Sequence, residues 1–254
     1  RWLASESRAS AKSSHNRRAN LPRSSSDAAR GVVLGDPVTK RITVLISGRG
    51  SNLAALLAAM GDGKLGGEIT RVIANNPDAP GLAAAHAHGV ACTALDHRLY
   101  ATREAFDVAL IQAVDAELPD LVVLAGFMRV LGAPFVRKYA NRLINVHPSL
   151  LPLYPGLHTH RRALADGARI HGCTVHFVTP EVDVGPIIAQ GAVPVYDDDD
   201  EASLAARVLA QEHALLPAAV RWFCEGRLVI AGRRVRVNGE QHTAGTDSLC
   251  VPPV

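Results

Sequence analysis

From Lys40 to Val237 short apolar runs alternate with stretches whose apolar residues recur at helical spacing. Residues 41–47 (RITVLIS) form a short run rich in β-branched and apolar residues, too few for a helix, so they predict a buried strand. Residues 52–60 predict a helix, 69–74 a strand, 81–88 a helix and 92–95 a strand. Over residues 103–118, Phe106, Ala109, Leu110, Ala113 and Val114 fall on one helical face. Residues 121–125 (LVVLA) predict another buried strand, 134–140 a short helix and 143–146 a further strand. This alternation predicts an α/β protein with a mainly parallel central sheet and helices on both faces. The later chain differs. Residues 174–178 and 187–195 read as longer strands open to antiparallel pairing, 201–225 as a long amphipathic helix and 227–237 as a hairpin.

The two ends break the pattern. Residues 1–38 are rich in Ser and Arg, poor in acids and without apolar periodicity, which predicts a disordered extension. They loosely resemble a transit peptide, and an untrimmed extension accounts for them equally. From residue 239 the chain turns polar, predicting a loose tail over 239–254 and leaving 39–238 as one domain. Apolar residues make up 48% of the 254 but aromatics only 4%, so the core must be built from Ala, Val, Leu and Ile. The net charge of +3 lies partly in the N-terminal segment and does not argue for nucleic acid. Cys92, Cys173, Cys224 and Cys250 show no C-x-x-C spacing, which fits a reducing compartment. The cytoplasm is expected, with organellar import through residues 1–38 as the alternative. No apolar run reaches the roughly 18 residues of a membrane span.

In an open α/β sheet, ligands bind beyond the carboxyl ends of the strands. That rule selects the loop after Ser47, the loop after Ala125 and the one holding Asn145 and His147. The last carries N-V-H-P-S-L-L-P, residues 145–152. In extended chain Asn145 and His147 point the same way, and Pro148 and Pro152 stop any regular element. The pair suits an amide and an imidazole acting on one atom, and equally a hydrogen-bonded turn without chemistry. In S-G-R-G-S-N, residues 47–52, Gly50, Ser51 and Asn52 are candidates for binding phosphate at a helix N-terminus, against a plain tight turn. A dinucleotide fingerprint would need glycine where Leu53 stands. Phe127, Met128, Val130 and Leu131 either cap the core or wall a pocket for a flat aromatic ligand. Asp183, ahead of Gly185 and Pro186, either satisfies turn amides or holds a carboxylate beside an imidazole. His158, His160, His171 and His176 lack H-E-x-x-H spacing and an acidic partner set, so no metal is predicted. Asn, His and Asp together point to acyl-type transfer. With no G-x-S-x-G nucleophile, attack would come directly from a substrate amine or water.

The segments ISGRGSNL, LAGFMRVL, NVHPSLLPLYPGLHTHRRAL, HGCTVHFVT, VDVGPII and RVLAQEH together resemble the phosphoribosylglycinamide formyltransferases, folate-dependent enzymes of purine synthesis, over residues 41–229. The resemblance implies a Rossmann-like formyltransferase fold with an antiparallel C-terminal part. It implies transfer of a formyl group from 10-formyltetrahydrofolate to the amine of glycinamide ribonucleotide, without a metal. It assigns catalysis to Asn145, His147 and Asp183, and substrate phosphate and ribose contacts to Gly50, Ser51, Asn52 and Glu212. Folate contacts fall to Arg103, Met128, Arg129, Val130, Leu131 and Asn145, and to Thr179, Pro180, Glu181, Val182 and Asp183. His158–His160 falls in a loop that closes over folate in these enzymes, which occur as monomers and homodimers and bind neither nucleic acid nor membrane. Arg49 and Val184 stand where the family varies, and residues 1–38 have no counterpart. Three rivals share the fold. A formyltetrahydrofolate hydrolase carries an N-terminal regulatory domain that residues 1–40 are too few to form. A methionyl-tRNA formyltransferase has a larger C-terminal domain and an arginine where Pro155 stands. A non-catalytic folate or nucleotide sensor would have no need of the trio.

Overall fold

The computed structural model describes residues 39–239 and the backbone of residues 250–251. Its elements follow the predicted alternation: β1 (Lys40–Ile46), α1 (Ser51–Gly61), β2 (Gly67–Ala74), α2 (Pro80–Ala87), β3 (Ala91–Ala94), α3 (Arg103–Asp115), β4 (Leu121–Leu124), α4 (Ala133–Lys138) and β5 (Leu143–His147). Then come α5 (Thr159–Ala165), β6 (Ile170–Phe177), β7 (Ile187–Pro194), α6 (Glu201–Cys224), β8 (Leu228–Ala231), β9 (Arg234–Val237) and β10 (Cys250–Val251). The extension expected over 1–38 lies outside the described residues. So does most of the tail expected over 239–254, although Cys250 and Val251 pair antiparallel with β7.

One sheet runs β3-β2-β1-β4-β5-β6-β7-β9-β8, with β10 also on β7. The first five strands are mutually parallel. β6 then runs antiparallel to β5, and β7 antiparallel to β6. Chain order reverses between β1 and β4, because β2 lies on one side of β1 and β4 on the other. Such a switch opens a crevice at the strand ends, and the loops after β1, β4 and β5 all meet there.

Alternation along β1 explains the layering. Ile42, Val44 and Ile46 are fully buried on one face with Leu53, Leu56 and Leu57 of α1 and Leu204, Val208, Leu215 and Trp222 of α6. Leu45 points to the other face, where Phe106, Leu110 and Val114 of α3 meet Phe135, Val136 and Tyr139 on and beside α4. Helix α6 starts on a capping box, in which Asp200 accepts from the Ser203 N–H and Ser203 answers the Asp200 N–H.

Two features depart from the predicted pattern. Helix α5 is absent from it, since Thr159–Ala165 (THRRALA) is short and holds one large apolar residue. Tertiary contact supports it, since α5 packs on α6 and buries Thr159 and Ala163. Strand β6 begins at Ile170, four residues before the predicted start, because pairing with β7 carries the polar His171 and Gly172 into the sheet.

The loop after β1 is held by close backbone approach. Gly50 caps α1 in the left-handed region at φ 76°, and a Cβ there would lie 2.8 Å from the Gly81 Cα of α2. The Gly81 N–H also donates to the Gly48 carbonyl at 3.2 Å. Gly50→Ala therefore combines a left-handed penalty with overpacking and is expected to cost about 1–3 kcal/mol of stability. Denaturant titration checks this, and an unchanged midpoint would contradict the α1–α2 contact described.

Candidate active site

Strand β5 delivers Asn145 and His147 to one cavity of about 550 Å³. Antiparallel pairing sets His176 of β6 directly opposite Asn145. The His176 Nδ1–H donates to the Phe177 carbonyl at 3.0 Å, which leaves Nε2 to accept from Asn145 Nδ2 at 3.2 Å. One amide hydrogen of Asn145 is thereby committed and the amide plane is fixed.

His147 is held from both sides. Its Nε2–H donates to the Tyr154 carbonyl at 3.0 Å, and its Nδ1 lies 3.5 Å from Asp183 Oδ2. Ser149 steadies that carbonyl by donating to the Leu153 and Tyr154 oxygens at 2.7 and 3.1 Å. Asp183 sits in the β6–β7 loop in the left-handed region at φ 57°. Its Oδ2 also accepts from the Gly156 N–H at 2.8 Å, and its Oδ1 stands 3.9 Å from His176 Nε2. Asn145 and His147, predicted from one motif, and Asp183, predicted from another, are thus brought together.

The cavity wall is apolar where the loop after β4 passes. Phe127 and Leu131 are buried, whereas Met128 and Val130 are 70% and 57% exposed and line the opening. Arg129 lines it too, with its guanidinium 5.3 Å from the centre of the Phe106 ring. Thr179, Pro180, Val182 and Asp183 line the opposite side. Two predicted folate contacts do not reach the lining. Glu181 is exposed, and Arg103 lies at the start of α3, 3.6 Å from Glu104. Loop curvature at residues 180–182 turns Glu181 outward between two lining neighbours.

The polar end joins α1 to α6. Asn52 Nδ2 donates to Glu212 Oε2 at 2.6 Å, and both side chains are buried and line the cavity. Burial pushes the Glu212 carboxyl above its ordinary pKa, and the Asn52 bond opposes the shift. Asn52 Oδ1 is buried without a partner. Gly50 and Ser51 lie outside the lining, at the start of α1, whose N-terminus has no side-chain cap. Its first N–H groups are therefore open to an anion.

Sequence reasoning missed His176, considered only as a metal ligand, and Glu201, which lines the cavity from the start of α6. The signal for His176 was its place in a strand, but only the β5–β6 register puts it opposite Asn145. Among the described residues no group of three or more His, Cys, Asp or Glu side chains is arranged to hold a metal.

Behind His147 lies a histidine pair. The His160 and His171 rings meet edge to face at 5.3 Å, and Tyr154 meets His171 at 5.7 Å. Neither His171 nitrogen makes a hydrogen bond of ordinary geometry, the Pro148 carbonyl being a weak partner. Burial lowers the His171 pKa to about 4 and holds His160 and His176 below the usual histidine range.

The formyl transferase family profile matches residues 40–220. Phosphoribosylglycinamide formyltransferase of Escherichia coli (strain K12) is 49% identical over 200 residues, covering 79% of this chain and 94% of that one. Trifunctional purine biosynthetic protein adenosine-3 of Drosophila melanogaster is 47% identical over 194 residues, which are 76% of this chain but 14% of that protein. The crystal structure of glycinamide ribonucleotide transformylase 1 from Symbiobacterium toebii aligns with a TM-score of 0.77 at 49% identity, covering 78% of this chain and 94% of that one.

The buried histidines set a pH dependence. A folded pKa of about 4 against an ordinary 6.5 means that His171 is neutral in the fold and binds its proton more readily when unfolded. Its contribution to stability is complete above pH 6.5 and is lost as pH falls toward 4. In melting curves across that window, His171→Phe is expected to lose less stability on acidification than the parent. Parallel curves would contradict the assignment.

Proposed function

The chain belongs to the formyl transferase family, and from that premise we propose that it moves a formyl group from 10-formyltetrahydrofolate to the amine of 5′-phosphoribosylglycinamide, a step of purine synthesis. The observation that carries this reading is the meeting of Asn145, His147 and Asp183 on one cavity whose described lining contains no Ser, Cys or Lys. With no Ser, Cys or Lys in that lining, the acceptor amine attacks directly in this reading.

The substrates fit the two ends of the cavity. A volume of about 550 Å³ with an apolar wall of Phe127, Met128, Val130, Leu131 and Val182 suits a flat folate ring. The uncapped start of α1 at Gly50, Ser51 and Asn52 suits the substrate phosphate. Glu212 accepts from ribose hydroxyls, and the unpartnered Asn52 Oδ1 takes a further donor.

In the transfer, the amine nitrogen bonds to the formyl carbon while the bond from that carbon to the folate nitrogen breaks. Negative charge gathers on the formyl oxygen. The second Nδ2 hydrogen of Asn145 donates to it, since the first is held by His176. His147 adds a second donor by exchanging the Tyr154 carbonyl for that oxygen, while Asp183 faces its Nδ1 and supports the cationic ring. The amine loses one proton and the departing nitrogen gains one, relayed by water at Asp183. His176 positions Asn145 and takes no proton. Cys92, Cys173 and Cys224 form no disulfide, which fits a reducing compartment, and we assign the cytoplasm.

The test follows formyl loss from 10-formyltetrahydrofolate with and without the ribonucleotide. Loss only with the ribonucleotide is expected. Loss without it would indicate a hydrolase, and no loss at all would overturn an enzymatic role. Asn145→Ala and His147→Ala are each expected to lower kcat by about 10²–10³ with KM values little changed. Parent-like turnover in either variant would reject its role.

A further inference from the structure

The loop that walls the cavity after β4 is pinned at both ends by side chains that do not themselves line the cavity. At one end Ser47, just past β1, donates its N–H to the Gly126 carbonyl at 3.2 Å and accepts the Met128 N–H on Oγ at 2.7 Å. At the other end Asp107 of α3, which is buried, accepts the Gly132 N–H on Oδ2 at 2.7 Å. The fit at Gly132 is tight, since a Cβ there would lie 2.6 Å from that same oxygen. Between the pins, the backbone N–H and C=O groups of Arg129, Val130 and Leu131 have no hydrogen-bond partner among the described residues. The ends of the segment are fixed and its middle is left to a ligand. The Arg129 guanidinium lies over Phe106, the residue beside Asp107, so the second pin also shares its helical turn with a side-chain contact of the loop.

We propose that Ser47 and Asp107 are positioning residues for the folate-side substrate, setting its affinity by holding the 126–132 loop from α3 and from the end of β1. The proposal rests on the function proposed above. Neither residue touches the Asn52–Glu212 end of the cavity or the Asn145–His147–Asp183 trio. The effect therefore separates by substrate, which a general loss of stability would not do.

Steady-state kinetics on the full chain test it with Ser47→Ala, Asp107→Ala and Asp107→Asn. Loss of one anchoring bond is expected to raise KM for 10-formyltetrahydrofolate about three- to tenfold in both alanine variants, leaving KM for the ribonucleotide and kcat within about twofold. Asp107→Asn keeps an acceptor oxygen for Gly132 and is expected to restore most of the affinity. If Asp107→Ala does not fold, Ser47→Ala carries the test, because Ser47 is only half-buried. Unmoved folate KM in the folded alanine variants, or a rise of both KM values together, would overturn the positioning role. Absence of transfer in the parent protein would instead overturn the proposed function, and this role with it.

Discussion

The site depends on β6 running antiparallel to β5. Up to β5 the sheet is parallel, and each strand is separated from the next by a helix. Had β6 followed the same rule, the loop after it would have emerged on the same edge as the end of β5, one strand further away. Running back instead, β6 places His176 opposite Asn145. It ends across from the start of β5, with Phe177 opposite Ile144, and residues 178–186 fold back along the cavity to bring Asp183 within 3.5 Å of His147. Strand pairing therefore supplies the residue that orients the amide, and the fold-back of the next loop supplies the carboxylate that faces the imidazole.

The remaining geometry follows from how tightly the surrounding backbone is held. Asp183 adopts a left-handed conformation and accepts the Gly156 N–H, so the β6–β7 loop and the loop after β5 constrain each other. At the other end of the cavity α1 and α6 are joined by the buried Asn52–Glu212 bond. Both helices pack on the same face of the sheet, and their relative position is set by the core that also fixes β1. Groups that must act on two different parts of one reaction are thereby held by a single apolar layer.

Much of this was legible in the sequence. The strands are apolar runs bounded by polar or glycine-containing turns, and that signal is local. The common orientation of Asn145 and His147 followed from alternation alone, and the importance of the three loops followed from the edge rule for parallel sheets. What stayed hidden was non-local. Register across two strands puts His176 against Asn145, and no pattern within either strand states it. Helix α5 is supported by contact with α6, and the start of β6 by pairing with β7. Glu212, which the family resemblance names as a substrate contact, stands in the cavity lining because its position on α6 faces Asn52. Arg103 and Glu181, named by the same resemblance, are exposed and stand off the lining, a placement that no motif states.

In the proposed reaction Asn145 and His147 act on one oxygen while the start of α1 holds the phosphate. The most direct measurement is a crystal structure of the chain with glycinamide ribonucleotide and a folate analogue bearing a non-transferable carbonyl. The account predicts that carbonyl oxygen at about 3 Å from Asn145 Nδ2 and from His147 Nε2, with the Tyr154 carbonyl released and the phosphate on the N–H groups at Gly50–Asn52. A His147 ring still bonded to Tyr154 with the carbonyl seated elsewhere, or a phosphate away from α1, would contradict it.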